Sequence, residues 1–242
     1  MKKIFFLLAL LLSLQSFSQQ FISSGLIEYQ VVKNNHKMIG DEGFWAEQFK
    51  DKIPRLTTSY YHFTFENGKG VYKFDRNDAQ TAIPWGKEQE DEIWYSDYNT
   101  RKATNYKYAV DNYYLLDGSL MDIEWKLSPA ETRVIAGFNC RKATGIIFDS
   151  VYVFAFYTDE ITVSGGPMGI SGLPGTILGL TIPRTFTSWV ATKVQVAGVD
   201  TRKVQPPTRG KKMDKKELMD KIIAVSKNWG DWGQQTVWQL GL

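Results

Sequence analysis

Apolar residues recur at every second position through most of this chain, and that period predicts strands. Gly25–Lys33 (GLIEYQVVK) places Ile27, Tyr29 and Val31 on one side, with Glu28 and Gln30 between them. Tyr60–Asp75 is the clearest local element. Its Asn67-Gly68 pair lies between aromatic-alternating runs, and a type I′ turn needs positive φ at both of its central positions. With those two residues as the loop, Phe63 faces Tyr72 and Tyr61 faces Phe74 on one side of a hairpin. His62, Thr64, Val71 and Lys73 fall on the other.

The same period predicts strands at Glu92–Tyr98, Asn105–Leu115, Ile123–Leu127, Arg133–Asn139 and Lys142–Phe148, and again at Thr176–Ile182 and Trp189–Val196. Val151–Tyr157 (VYVFAFY) is apolar throughout, which predicts a central strand covered on both faces. Ala79–Asp91 reads as a loop around Pro84, and Phe44–Phe49 as one or two helical turns. After Pro206-Pro207 the pattern changes. Asp214 and Glu217 resemble a capping box, and Leu218, Ile222 and Val225 follow at helical spacing, so a helix is predicted over Lys215–Asn228. The tail Trp229–Leu242, with Trp229, Trp232 and Trp238, is expected to pack back on the sheet. The fold class is mainly β. It is a single antiparallel sheet of about eight to ten strands, curved like a half-barrel or closed as a sandwich, with one C-terminal helix on it.

The first eighteen residues are set apart from this pattern. Lys2 and Lys3 precede the apolar run Ile4–Leu14, and small residues Ser16 and Ser18 follow. This is the pattern of a cleaved signal peptide over 1–18, leaving 19–242 as one domain. Eleven residues at ~1.5 Å each cross only about half of a ~30 Å hydrocarbon core. No later run is long enough to span a membrane as a helix, and no cysteine near the cleavage site offers a lipid anchor. The expected location is the periplasm or outer membrane, or the medium.

Loss of the two lysines takes the formal charge from +3 to +1, which gives no global drive toward nucleic acid. Aromatic residues at 14% suit half-buried pleated surfaces. Cys140 is the single cysteine, so no internal disulfide closes and the fold depends on its core.

The most distinctive stretch is Asp159–Leu180 (DEITVSGGPMGISGLPGTILGL). Leu173-Pro174-Gly175-Thr176 has the composition of a type II turn, with proline presetting φ and glycine supplying the positive φ that follows. Gly172-Leu173-Pro174-Gly175-Thr176-Ile177 resembles the hexapeptide of the GLPGLI family of Bacteroidota envelope proteins, with Thr176 in place of the second leucine. The similarity extends over Gly137–Leu180. It includes Gly137-Phe138-Asn139-Cys140-Arg141-Lys142-Ala143, Ala155-Phe156-Tyr157-Thr158 and Gly166-Pro167. Phe156 stands where tryptophan is usual, and Thr162 where proline is usual. The resemblance implies export and a β-rich fold, and it carries over no activity. The motif loop (Gly166, Pro167, Gly172, Leu173, Pro174, Gly175) reads either as a binding loop or as a structural turn between core strands.

Catalytic patterns are thin. No Gly-Lys-Ser/Thr follows the glycines, and Gly169, Gly172 and Gly175 have the wrong spacing for a dinucleotide fingerprint. Ser171 lacks the last glycine of a nucleophile elbow. His36 lies in a turn sequence and His62 on the polar face of the hairpin. Cys140 has Arg141 and Lys142 beside it in sequence, but strand neighbours point to the opposite face, which favours a buried, inert thiol. Asp75-x-Asn77 begins like a calcium loop, yet Gln80 and Gly86 stand where glycine and glutamate belong. Glu88, Glu90, Asp91 and Glu92 read as a solvated acidic loop. Asp159-Glu160 is the best candidate for paired carboxylates. The basic residues from Arg202 to Lys216 read as a solvated linker, with anionic lipid or glycan contact as the functional alternative.

The expected function is therefore that of an exported, non-catalytic envelope protein that binds a partner protein, lipid or small ligand. This reading predicts an apolar concave face or groove bordered by the Gly-Pro loop, with no metal or other cofactor. The alternative is an envelope hydrolase whose carboxylates, or Cys140 with a histidine, converge in space.

Overall fold

A computed structural model describes residues 21–83, 87–229 and 231–242 of the chain. The expected signal segment 1–18 lies outside the described residues, as do Pro84 and Gly86.

The strand-forming pattern produces one open, curved sheet. In chain order its strands are β1 (Ser24–Asn34), β2 (Leu56–Glu66), β3 (Lys69–Asn77), β4 (Ile93–Asp97), β5 (Lys102–Ala109) and β6 (Asn112–Ser119). They continue with β7 (Lys126–Ile135), β8 (Phe138–Ile147), β9 (Val151–Thr158), β10 (Thr176–Ile182), β11 (Thr187–Gln195) and the short β12 (Lys211–Met213). Their order across the sheet is β12-β6-β5-β4-β3-β2-β1-β11-β10-β9-β8-β7. Every strand pair is antiparallel except β12 on β6. The sheet does not close, so the half-barrel form of the expected class is the one found, with twelve strands rather than eight to ten.

The Asn67-Gly68 turn has φ of 50° and 75°, and the register is the one its residues demand: Phe63 opposite Tyr72, Tyr61 opposite Phe74. Phe63, Tyr72 and Trp94 then line up across β2, β3 and β4, and Ile27 joins them from β1. This row lies on the inner, concave face. The outer face is not uniformly polar. Val71 and Tyr95 are buried there beneath Val204, from the segment that leads into β12.

Among the described residues, four helices accompany the sheet: α1 (Asn35–Ile39), α2 (Phe44–Phe49), α3 (Lys215–Ser226) and α4 (Asp231–Gly241). Asp214 caps α3 by accepting the N–H groups of Lys216 at 2.8 Å and Glu217 at 3.3 Å, which satisfies two of its orphan donors. The tail is thus a second C-terminal helix where one was expected. Together α3 and α4 cover the inner face at β5 and β6, where Leu218 and Ile222 pack on Ala109, Tyr114 and Leu116. The other half of the inner face is filled by the loop after β9. Its Ile161, Val163, Ile170 and Leu173 are almost wholly buried in one cluster with Ile27, Phe63 and Leu180.

Three expectations are corrected. Val151–Tyr157 is covered on one face only, since Tyr152 is 55% exposed and Phe154 and Phe156 are half-buried. Lys142 and Arg133 lie over the Phe154 and Phe156 rings in place of a second layer. The predicted strand Ile123–Leu127 starts later, at Lys126, because Ile123 and Trp125 turn inward as an irregular segment. The basic stretch before α3 is not wholly a linker: Lys211–Met213 pairs as the edge strand β12. Its exposed Lys211 and Lys212 are residues that discourage further strand pairing at an edge.

Candidate functional site

Between the loop and the C-terminal helices the inner face is left partly uncovered, and a cavity of about 530 Å3 remains there. Its floor comes from inward-facing residues of adjacent strands, where alternation puts aromatic rings side by side. Tyr61 and Tyr72 are stacked with centroids 5.0 Å apart, and Trp94 meets Tyr72 edge-on at 5.6 Å. Trp189, Val31 and Phe74 extend this apolar surface. The Tyr72 hydroxyl is buried without a partner in hydrogen-bond geometry among the described residues, and burial pushes its pKa well up.

One wall belongs to the C-terminal helix, through Gln239, Leu240 and the Leu242 that follows it. Three long-range hydrogen bonds hold it to the sheet. Lys33 Nζ donates to Gln239 Oε1, Lys107 Nζ to the Leu240 carbonyl and Trp94 Nε1 to the Leu242 carbonyl, each at 2.9 Å. The lining also carries a polar rim. Ser59 Oγ donates to Asn77 Oδ1 and Asn77 Nδ2 to Glu90 Oε1, both at 2.7 Å. Glu92, only 5% exposed, completes the lining; its Oε1 accepts the Tyr108 backbone N–H at 3.0 Å.

Burial shapes the charges around this site. It raises the Glu92 pKa, opposed by the attraction of Lys107, and it pushes Lys107 and Lys33 down to about 8. Unfolded, each lysine returns toward its ordinary value of 10.5. Between those limits the unfolded chain binds more protons, so stability rises with pH by up to about 1.4 kcal/mol per unit for each lysine. Cys140, which burial pushes up to about 11, acts in the opposite sense above its ordinary value of 9.0. Tyr29, Tyr61, Tyr72 and Tyr98, whose pKa values burial raises, do so near and above pH ~10. Urea denaturation is therefore expected to show increasing stability from pH 8 to about 9. Lys107→Met should reduce that slope by about half and raise stability at pH 7. A monotonic fall above pH 8 would contradict this assignment.

The fold is similar to that of PNGF-II. Two crystal structures of that protein, in different space groups, superpose with TM-scores of 0.52 and 0.51 at 14% and 16% identity. The match covers 86% of this chain in each case, and this chain spans about a third of PNGF-II (34% and 33%). An uncharacterized conserved protein from Thermus thermophilus aligns over 85% of this chain and 99% of its own, at a TM-score of 0.41 and 7% identity. No family model and no curated protein matches the chain. At these identities the likeness is one of fold alone.

The motif loop stands beside the cavity. Of its residues, Met168 lines the cavity, whereas Gly166, Pro167, Gly172, Leu173, Pro174 and Gly175 do not. Gly166, Pro167, Leu173 and Gly175 are buried, while Gly172 and Pro174 are exposed. Ser164 Oγ donates to the Leu173 carbonyl at 2.7 Å and accepts from the Gly172 N–H at 3.2 Å, closing the loop on itself. Gly175 has the expected positive φ, 134°, but the turn is tighter than type II. The Gly175 N–H donates to the Leu173 carbonyl at 2.8 Å, and the Thr176 N–H turns away to Ile161 at 3.2 Å.

The candidate catalytic residues are scattered. Cys140 is fully buried, and burial pushes its thiol up to about 11, away from thiolate character. Asp159 and Glu160 are exposed, and Asp159 pairs with Arg141. Ser171 is buried with its carbonyl accepting from Trp125 Nε1 at 2.9 Å. His36 contacts the Ile53 carbonyl at 3.2 Å. None of these five lines the cavity.

His62 is not a freely solvated side chain. It stands on the outer face between Asp75 (3.5 Å) and Glu28 (3.8 Å). These three present donor atoms within 4.8 Å of one another, but Arg76 already bridges both carboxylates, at 2.9 Å to Glu28 and 2.5 Å to Asp75. That guanidinium supplies the positive charge a cation would bring.

Sequence reading missed Glu92 as a site residue, placing it in a solvated acidic loop. The available signal was its two-residue spacing from Trp94 and Ser96, which puts all three on the inner face.

Proposed function

We propose that this is an exported, non-catalytic cell-envelope protein of the GLPGLI type that holds a small apolar or amphipathic ligand in its concave cavity. The supporting observation is the cavity itself: about 530 Å3, floored by Tyr61, Tyr72, Trp94 and Trp189, with a few polar groups at one side. Small-molecule sites have this size, roughly 300–1,000 Å3, and this mixture of aromatic walls and sparse polar anchors. Cys140, Asp159, Glu160 and both histidines lie outside the cavity lining, so the residues proposed for hydrolysis do not assemble there. The carboxylates that do line it, Glu88, Glu90 and Glu92, belong to the binding surface. The motif loop contributes rigidity and the Met168 side chain, and its glycines serve packing.

The test is fluorescence titration of the purified mature chain with the neutral apolar probe N-phenyl-1-naphthylamine. One saturable site is expected. Ser59→Trp, which puts an indole into the cavity, should abolish binding while leaving cooperative unfolding intact. Absence of a saturable site in the unmodified chain, or equal binding by the filled variant, would remove this reading.

A further inference from the structure

The charges around the cavity are unbalanced, and this specifies the ligand if the cavity is a binding site as proposed above. Among the described residues Glu88, Glu90 and Glu92 line it against one cation, Lys33, whose ammonium already donates to Gln239. Glu90 is engaged by Asn77. Glu92 is different. Its single hydrogen bond among the described residues comes from the Tyr108 backbone, and it forms no ion pair within 4.0 Å. Lys107 attracts it electrostatically but directs its ammonium to the Leu240 carbonyl and stands 5.4 Å over the Trp94 ring.

A carboxylate this deeply placed is costly unless a cation and hydrogen bonds satisfy it. Trp94 lies two residues away on the same face, and Tyr61 is close enough that Glu92 and Glu90 both oppose ionisation of its hydroxyl. Negative charge beside the electron-rich faces of Trp and Tyr is the arrangement that recognises an ammonium group. A neutral head group would leave Glu92 with only the Tyr108 hydrogen bond and the attraction of Lys107, and an anionic one would add repulsion. The geometry points to a ligand with an ammonium head, seated at Glu92 and Glu90, and an apolar body along Tyr61, Tyr72 and Trp189.

The experiment displaces N-phenyl-1-naphthylamine with dodecylamine, dodecanol and dodecanoate, each below its aggregation concentration, from the unmodified chain and from Glu92→Gln. The amine is expected to bind about ten- to a hundredfold more tightly than the alcohol, the scale of a hydrogen bond to a charged group, with dodecanoate the weakest. Glu92→Gln should bring the amine within a few-fold of the alcohol. Equal affinities for amine and alcohol in the unmodified chain would overturn the ammonium assignment and leave the cavity's binding role standing, as would a preference that survives Glu92→Gln. Failure of all three compounds and the probe to bind would remove both. Should Glu92→Gln not fold, the three-compound comparison on the unmodified chain decides the question, with Glu90→Gln expected to narrow the preference by a smaller factor.

Discussion

Gly175→Ala is expected to destabilise the fold by about 3–5 kcal/mol, combining left-handed backbone strain with an unrelieved steric overlap. Two facts set this size. Gly175 has φ of 134°, a conformation that only glycine adopts without strain. A Cβ built there would overlap the Thr158 carbonyl oxygen, with the carbonyl carbon at 2.7 Å and the Asp159 Cα at 2.9 Å. These are backbone atoms at the end of β9, so no side chain can rotate away. At roughly 2–4 °C per kcal/mol for a chain of this size, the melting temperature should fall by roughly 6–20 °C. Gly43→Ala separates the two causes. Gly43 also has positive φ, 93°, but among the described residues no atom beyond its chain neighbours lies within 4 Å of its Cβ position. Its loss should stay within about 1–3 kcal/mol, the ordinary scale for a strained backbone alone. Equal melting shifts for the two variants would mean that the close approach at Thr158 contributes nothing.

The glycine motif is thereby given a physical role that its composition only partly discloses. The requirement for positive φ at Gly175 is legible from Pro174-Gly175, because proline followed by glycine is a turn signal with a mechanism. The contact with Thr158 is not, since it joins residues 17 apart in sequence through the packing of β9 against the loop. The hairpins show the same boundary. Asn67-Gly68 announces its turn and fixes every pairing from Glu66–Lys69 back to Tyr61–Phe74. Val110-Asp111 makes a comparable turn, with φ of 46° and 58°, from residues that carry no such signal, and the sequence reads as one strand across it. A β-branched residue at positive φ is held there by the pairing of β5 and β6, against its local preference. For the cavity, alternation places Tyr61, Tyr72 and Phe74 on one face. Which part of that face stays open depends on how far the loop and the C-terminal helices reach across it, and no local pattern encodes that distance.

Trp94→Ala should produce the other large effect, about 3–5 kcal/mol of lost stability, the usual range for removing a buried tryptophan. Trp94 is 6% exposed, packs edge-on against Tyr72 and lies beneath Lys107. Its indole N–H also carries the 2.9 Å bond to the Leu242 carbonyl, so one side chain serves as cavity floor and as anchor for the segment that walls it. Trp94→Phe divides these roles. It retains most of the buried ring and removes only the hydrogen bond, for which about 1–2 kcal/mol is expected. Amide hydrogen exchange gives the more discriminating readout. Both variants should accelerate exchange within 231–241, where α4 has lost one of its three tethers, while the β9–β10 core in Trp94→Phe retains its protection. Ligand affinity should then follow the tether as well as the floor: Trp94→Phe keeps an aromatic surface yet binds N-phenyl-1-naphthylamine more weakly, because Leu240 and Leu242 no longer close the cavity. Unchanged exchange in 231–241, with unchanged probe affinity, would show that packing on Tyr114 and Leu116 and the Lys33 and Lys107 bonds suffice to hold the helix, and that the Trp94 bond has no part in forming the site.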